Sequence, residues 1–163
     1  MEISATVGFE NVPRLDLLLV PGGPGQLALM KHAALVDFLR SQAKTATWMC
    51  SVCSGALLLA QAGLLKGRRA TTHWLARDAL KSFGVKVVDE RYVIDGKFAT
   101  SAGVSSGIDL ALEMVRRIGG DEMAQTIQLQ IEYDPSPPFE AGSPAKAPPA
   151  IVAGLRRRAR QFH

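Results

Sequence analysis

The stretch Ser51–Ala60, SVCSGALLLA, decides how this chain is read. An apolar, strand-like run at about residues 47–52 reaches Cys53, passes the small residues Ser54 and Gly55, and enters a helix-forming segment at about 54–62. A strand that turns sharply into a helix needs small neighbours, because the backbone folds tightly around one exposed side chain, as in a nucleophile elbow. Catalytic residues of open parallel sheets stand at the carboxyl ends of strands, and Cys53 falls at that edge. The dipole and free N–H groups of a following helix favour a thiolate there. Three readings compete: a nucleophile, half of a redox pair with Cys50, or a small buried hydrophobe. CSVC has the C-x-x-C spacing. With Cys50 in the strand, three residues at about 3.3 Å each place its Cα nearly 10 Å from that of Cys53. A disulfide needs Cα atoms within about 7 Å, so the spacing argues against the redox pair.

Outward from this turn, buried strands and helices alternate. LDLLLV (15–20) is a continuous apolar run that ends in the loop PGGPG. It reads as a buried, parallel strand. Residues 26–44 carry Leu27, Met30, Leu35 and Leu39 at roughly helical spacing. After the elbow helix, Gly63 is a helix stop. RRATTHW predicts a short strand, LARDALKSF a helix closed by Gly84, and residues 85–88 another strand. RYVIDGKFATS predicts a hairpin, with Asp-Gly favouring a type I′ turn. Helices follow at about 105–118 and 121–133, and a short one ends the chain. Residues 134–149, DPSPPFEAGSPAKAPP, are too rich in proline for either element and predict a surface loop. The alternation predicts one α/β domain over residues 1–163, a mostly parallel sheet with helices on both faces.

The chain has 163 residues, enough for an ordinary core, and 47% of them are hydrophobic, which excludes disorder over most of its length. No apolar run approaches the roughly 20 residues that span a bilayer, so no membrane partner is expected. MEISATVGFE lacks the basic end and apolar stretch of a signal peptide, and two cysteines make no disulfide framework. Both points predict a cytoplasmic protein. Part of the net charge of +4 lies in Arg156, Arg157, Arg158 and Arg160. With no zinc-finger spacing or RNA-binding aromatic signature, these read as a solvated terminal helix, and no nucleic acid is expected. The His, Cys and acid spacings match no metal-site template.

Ser51–Trp74, SVCSGALLLAQAGLLKGRRATTHW, resembles the ThiJ/PfpI superfamily, and within it the isocyanide hydratase branch. Pro21–Gly23, TSAGVSSGIDLALE and QLQIEYDPSPPFEAGSP carry the same resemblance, which spans about residues 15–149. It implies a flavodoxin-like fold, a homodimer, a small-molecule substrate and no metal or organic cofactor. Cys53 matches the family nucleophile and Ser54 the adjacent hydroxyl residue, usually threonine. Gly23 matches the loop glycine whose N–H points into the site. Peptidase-like relatives carry histidine after the cysteine, so Ser54 argues against a Cys-His dyad.

Family members begin with a strand and helix ahead of the segment that matches LDLLLVPGG, and the loop after that strand supplies an acidic residue near the nucleophile. In this sequence LDLLLVPGG starts at residue 15, so the resemblance implies that the first βα unit and its acid have no counterpart here. Hydration of isocyanides to N-substituted formamides is then expected to be weak or absent. GLLKGRRATTHW also occurs in superfamily domains of AraC-type regulators, which leaves a ligand- or redox-sensing domain as the alternative. His73 reads either as a base for Cys53 or as a structural histidine. His32 and His163 read as solvated. Asp109 and Glu113, one helical turn apart, read either as a carboxylate pair or, the reading preferred, as capping and solvating a helix.

Overall fold

The computed structural model describes residues 4–160. They fall into two compact units that divide after Leu110; residues 1–3 and 161–163, His163 among them, lie outside the described residues. In the first unit a four-stranded sheet has the order β1-β2-β6-β5. β1 (Leu17–Val20), β2 (Trp48–Ser51) and β6 (Phe98–Ser101) are mutually parallel, and β5 (Tyr92–Asp95) runs antiparallel to β6. β3 (Arg69–Ala70) and β4 (Lys86–Val87) form a separate parallel pair. The sheet is thus mostly parallel and flanked by helices, as expected.

Met49 of β2 and its register partner Phe98 of β6 face one buried cluster with Leu39, Leu59, Leu65 and Leu80. Cys50 and its partner Ala99 alternate to the other face, both buried. The helix α3 (Gly55–Gln61) is buried almost all round, which is why ALLLA shows no polar face. Leu59 is fully buried, and its truncation to alanine is worth about 2–5 kcal/mol.

Residues 26–44, expected as a single helix, form α1 (Gln26–Leu29) and α2 (Ala33–Thr45). The break is made by His32, whose Nδ1 accepts from Leu35 N–H and so caps α2. His32 is exposed, as read, but it also ends one helix and starts the next. Gln42 of α2, buried, accepts from Leu15 N–H at 3.1 Å and donates to Pro13 O at 3.2 Å, fixing the chain where it enters β1. At the other end of α2, Lys97 Nζ donates to the carbonyls of Ala43 and Ala46. This cation satisfies terminal carbonyls and ties the hairpin turn to the helix.

The hairpin departs from the expected turn type. Asp95 pairs with Phe98, so the central residues are Gly96 and Lys97, and only Gly96 has positive φ, at 60°. A glycine alone at the first central position fits a type II′ turn. Asp95 is instead used by its side chain, which accepts from Arg69 N–H at 2.8 Å. Strand β3 is followed by Thr71 and Thr72, in neither helix nor strand, then a 3-10 turn at Trp74–Ala76 and α4 (Arg77–Ser82).

In the second unit, α6 (Asp121–Gln130) and α7 (Pro149–Arg160) flank residues 131–148, which contain neither helix nor strand. The unit boundary falls within α5 (Ser106–Gly119). Glu113 accepts from Arg116 and Arg117, whose hydrogen bonds and charge hold its carboxyl below the usual range. Asp109, in the first unit, accepts from Arg91. Each carboxylate is therefore held by arginine rather than by the other. Arg156, Arg157 and Arg158 are exposed on α7.

Candidate active site

All the residues of the candidate site lie in the first unit. Cys53 follows β2 and precedes α3, and it is half-buried. Its φ is 58°, in the left-handed region that non-glycine residues rarely enter. That conformation costs about 1–3 kcal/mol and persists where the surroundings over-determine it.

The surroundings are visible. Val52 N–H donates to Val20 O at 3.1 Å, and Gly55 N–H donates to Val52 O at 3.0 Å, closing the turn. Gly55 is packed so tightly that a Cβ on it would stand 2.2 Å from Val20 O. Gly22 faces Cys53 in the same way. A Cβ there would lie 2.6 Å from Cys53 Cβ and 3.1 Å from its Sγ. The expectation that the elbow needs small neighbours thus extends to a loop thirty residues upstream. The Cys53 carbonyl accepts from Thr72 Oγ1 at 2.7 Å and from His73 N–H at 3.4 Å.

Cys50 has the opposite environment. It is 2% exposed within β2, and burial pushes its thiol up to about 11. Both cysteines are free thiols.

Ser54 and Gly23 are brought together. Gly23 N–H donates to Ser54 Oγ at 3.2 Å, so the loop amide expected to point into the site is joined to the hydroxyl beside Cys53. A Cβ on Gly23 would meet nothing within 4 Å, so the loop is open on that side. The loop is fixed from below by buried Gln26, whose Nε2 donates to Pro21 O at 2.7 Å. The sequence offered no signal for Gln26 beyond its place at the first position of a helix.

His73 is half-buried; its Nδ1 accepts from Leu75 N–H at 3.4 Å and caps the 3-10 turn. Burial, and then the Arg77 charge, lower its pKa. This is a structural task, although the residue borders the site through its backbone bond to Cys53. Among the described residues, no side chain hydrogen-bonds the Cys53 sulfur, and none of the carboxylates does so. Nor do three or more His, Cys, Asp or Glu side chains among them gather into a set that could hold a metal ion.

A strained cysteine between a parallel strand and a helix, facing a glycine loop at the neighbouring strand's carboxyl end, defines the class of α/β domains with a nucleophile elbow. The chain belongs to the DJ-1/PfpI family, whose model matches residues 1–117. Isonitrile hydratase of Pseudomonas putida is 46% identical over 159 residues, which is 98% of this chain and 70% of the hydratase. The HTH-type transcriptional regulator CdhR of Pseudomonas aeruginosa is 35% identical over 132 residues, 80% of this chain and 39% of the regulator. The crystal structure of a THiJ/PfpI family protein from Pseudomonas syringae superposes with a TM-score of 0.90 at 41% identity, covering 94% of this chain and 64% of that one. No helix among the described residues is long and apolar enough to cross a membrane.

Proposed function

We propose that this chain hydrates isonitriles, R–N≡C plus water giving R–NH–CHO, with Cys53 as nucleophile. The observation that carries the reading is the left-handed Cys53 at the elbow, beside the Ser54 hydroxyl and the Gly23 N–H. The similarity to isonitrile hydratase supports the substrate class. The thiolate attacks the terminal isonitrile carbon, and that carbon takes a proton to give the thioimidate R–N=CH–S–Cys53. Water adds to the thioimidate carbon while the nitrogen gains a proton. The tetrahedral adduct R–NH–CH(OH)–S–Cys53 then expels the thiolate, loses its hydroxyl proton to water and so releases the formamide. Ser54 Oγ, oriented by the Gly23 N–H that donates to it, positions the water or polarises the intermediate. The chemistry needs no metal or organic cofactor, since the sulfur supplies the electron pair and water the oxygen.

The working unit we infer is a homodimer in the cytoplasm, with a small uncharged molecule as substrate and neither nucleic acid nor membrane as partner. Light scattering that reads the 17.5 kDa chain mass rather than twice it would count against the dimer. The function is tested by following formamide formation from an aryl isonitrile. Turnover is expected in wild type and Cys50→Ala and none in Cys53→Ala. Binding of the isonitrile without turnover in any form would favour the sensing reading instead, to which the similarity to a transcriptional regulator lends support.

A further inference from the structure

The carbonyl of Cys53 points away from its own helix, to two donors of another segment: Thr72 Oγ1 at 2.7 Å and His73 N–H at 3.4 Å. That segment is itself anchored, because Thr71 N–H donates to Thr100 Oγ1 of β6 at 2.9 Å. Thr71, Thr72 and Thr100 are all 1% exposed or less. A chain of contacts therefore runs from the sheet, through two buried threonines, to the one backbone group whose direction sets ψ of the strained residue. The backbone has only φ and ψ as soft dihedrals, and Gly55 N–H already holds the preceding peptide through Val52 O at 3.0 Å, so the Cys53 carbonyl is the other group that must be held if φ is to stay at 58°. Turning it would also rotate the peptide that carries Ser54.

We propose that Thr72 is a positioning residue, whose hydroxyl clamps the Cys53 carbonyl and so holds the thiol and Ser54 in the reactive arrangement. The proposal deepens the hydratase reading by resting on Cys53 as the nucleophile. It asks nothing of the substrate.

The neighbouring Thr71 supplies the control. It is as buried as Thr72, yet its Oγ1 has no hydrogen-bond partner among the described residues. Replacing an unpartnered buried hydroxyl by a methyl group is near neutral or stabilising. The experiment compares Thr72→Val, Thr72→Ala, Thr72→Ser and Thr71→Val with wild type. Three readouts are taken: the rate of Cys53 alkylation by iodoacetamide, followed by peptide mass mapping; kcat and KM for an aryl isonitrile; and the thermal transition. Loss of one hydrogen bond is expected to slow Cys53 alkylation about three- to tenfold in the donor-free variants. The fall in kcat should match that factor, KM should stay, Thr72→Ser should restore both, and Thr71→Val should leave both unchanged.

Alkylation unchanged in a folded Thr72→Val or Thr72→Ala overturns the proposal. So does an equal slowing in Thr71→Val. Unfolding of both donor-free variants, with Thr71→Val folded, would make Thr72 a stability residue and overturn it too. If wild type shows no isonitrile turnover while the alkylation pattern holds, the hydratase reading fails and the clamp stands.

Discussion

Gly22 and Gly23 are adjacent and chemically identical, yet the site treats them in opposite ways. A methyl group on Gly22 would press on Cys53 Cβ at 2.6 Å and on Ser54 N at 2.8 Å, whereas on Gly23 it would enter open space. Gly22→Ala is therefore expected to displace the elbow, abolish isonitrile turnover and cost roughly 1–3 kcal/mol, the usual range for overpacking. Gly23→Ala should fold as wild type and keep its turnover within a few-fold. Thermal denaturation and formamide assays on the pair check this, and equal loss in both would mean that the loop is not seated against Cys53. The two cysteines differ as sharply. Cys50 is buried and its thiol is raised to about 11, so near neutral pH it stays protonated and sheltered. Limited iodoacetamide treatment should label Cys53 first; peptide mapping that finds Cys50 labelled first would remove the physical basis of the nucleophile assignment. That contrast was readable in the sequence, because strand periodicity placed Cys50 inside β2 and Cys53 after it. The part played by Thr72 was not readable. Two threonines in an extended segment signal only β propensity, and which hydroxyl meets the Cys53 carbonyl depends on how β3 and β6 are seated.

The elements were legible where hydrophobic runs were long and bounded, and less so where one polar atom decides a boundary. LDLLLV, the elbow strand and the hairpin strands all stand where the apolar pattern put them, but β1, expected to be buried, is covered on one face only: Leu18 and Val20 are buried and Leu17 and Leu19 exposed. The single helix expected over residues 26–44 failed because an imidazole nitrogen caps a helix as a carboxylate or hydroxyl does, which the usual cap residues do not signal. The turn in RYVIDGKFATS shifted by one residue because Asp95 is recruited to Arg69 N–H. Gly96, not the Asp-Gly pair, then carries the only positive φ. Gly96→Ala is expected to destabilise the first unit by about 1–2 kcal/mol, the cost of a left-handed alanine, with Cys53 alkylation unaffected. A denaturation midpoint that does not move would show that the turn relaxes into another type. The segment that follows β3 yields a pH dependence. Burial first, then Arg77, lower the His73 pKa, so the folded state favours the neutral ring while the unfolded chain titrates in the ordinary histidine range. The stability this contributes is present above the unfolded value and is lost as pH falls through the folded value. Protonation would also remove the Nδ1 acceptor that caps the 3-10 turn. Unfolding free energies measured across that acidic window should decline in wild type and less steeply in His73→Gln. Parallel curves would assign the decline to other groups.

At the scale of the whole molecule, the proposed chemistry needs a proton as well as the Cys53 thiolate. The resemblance to the family implies an acidic residue beside the cysteine. Among the described residues no carboxylate hydrogen-bonds the Cys53 sulfur. The chain spans 70% of the length of the isonitrile hydratase it matches, with 46% identity over the shared part. Attack on an isonitrile carbon needs a proton at that carbon in the same step or immediately after it. A positioned acid typically contributes 10²–10⁴-fold to such transfers. Residues 1–163 are therefore expected to form formamide from an aryl isonitrile slower than the Pseudomonas putida enzyme by about that factor, with alkylation of Cys53 at a comparable rate. The two measurements separate the causes. Slow turnover with fast alkylation places the deficit in proton delivery, and slow alkylation places it in the elbow itself. Turnover equal to that of the hydratase would sink the need for a carboxylate. It would shift the proton to His73 or to water held by Ser54 and the Gly23 N–H, and His73→Gln would then be the variant that loses kcat.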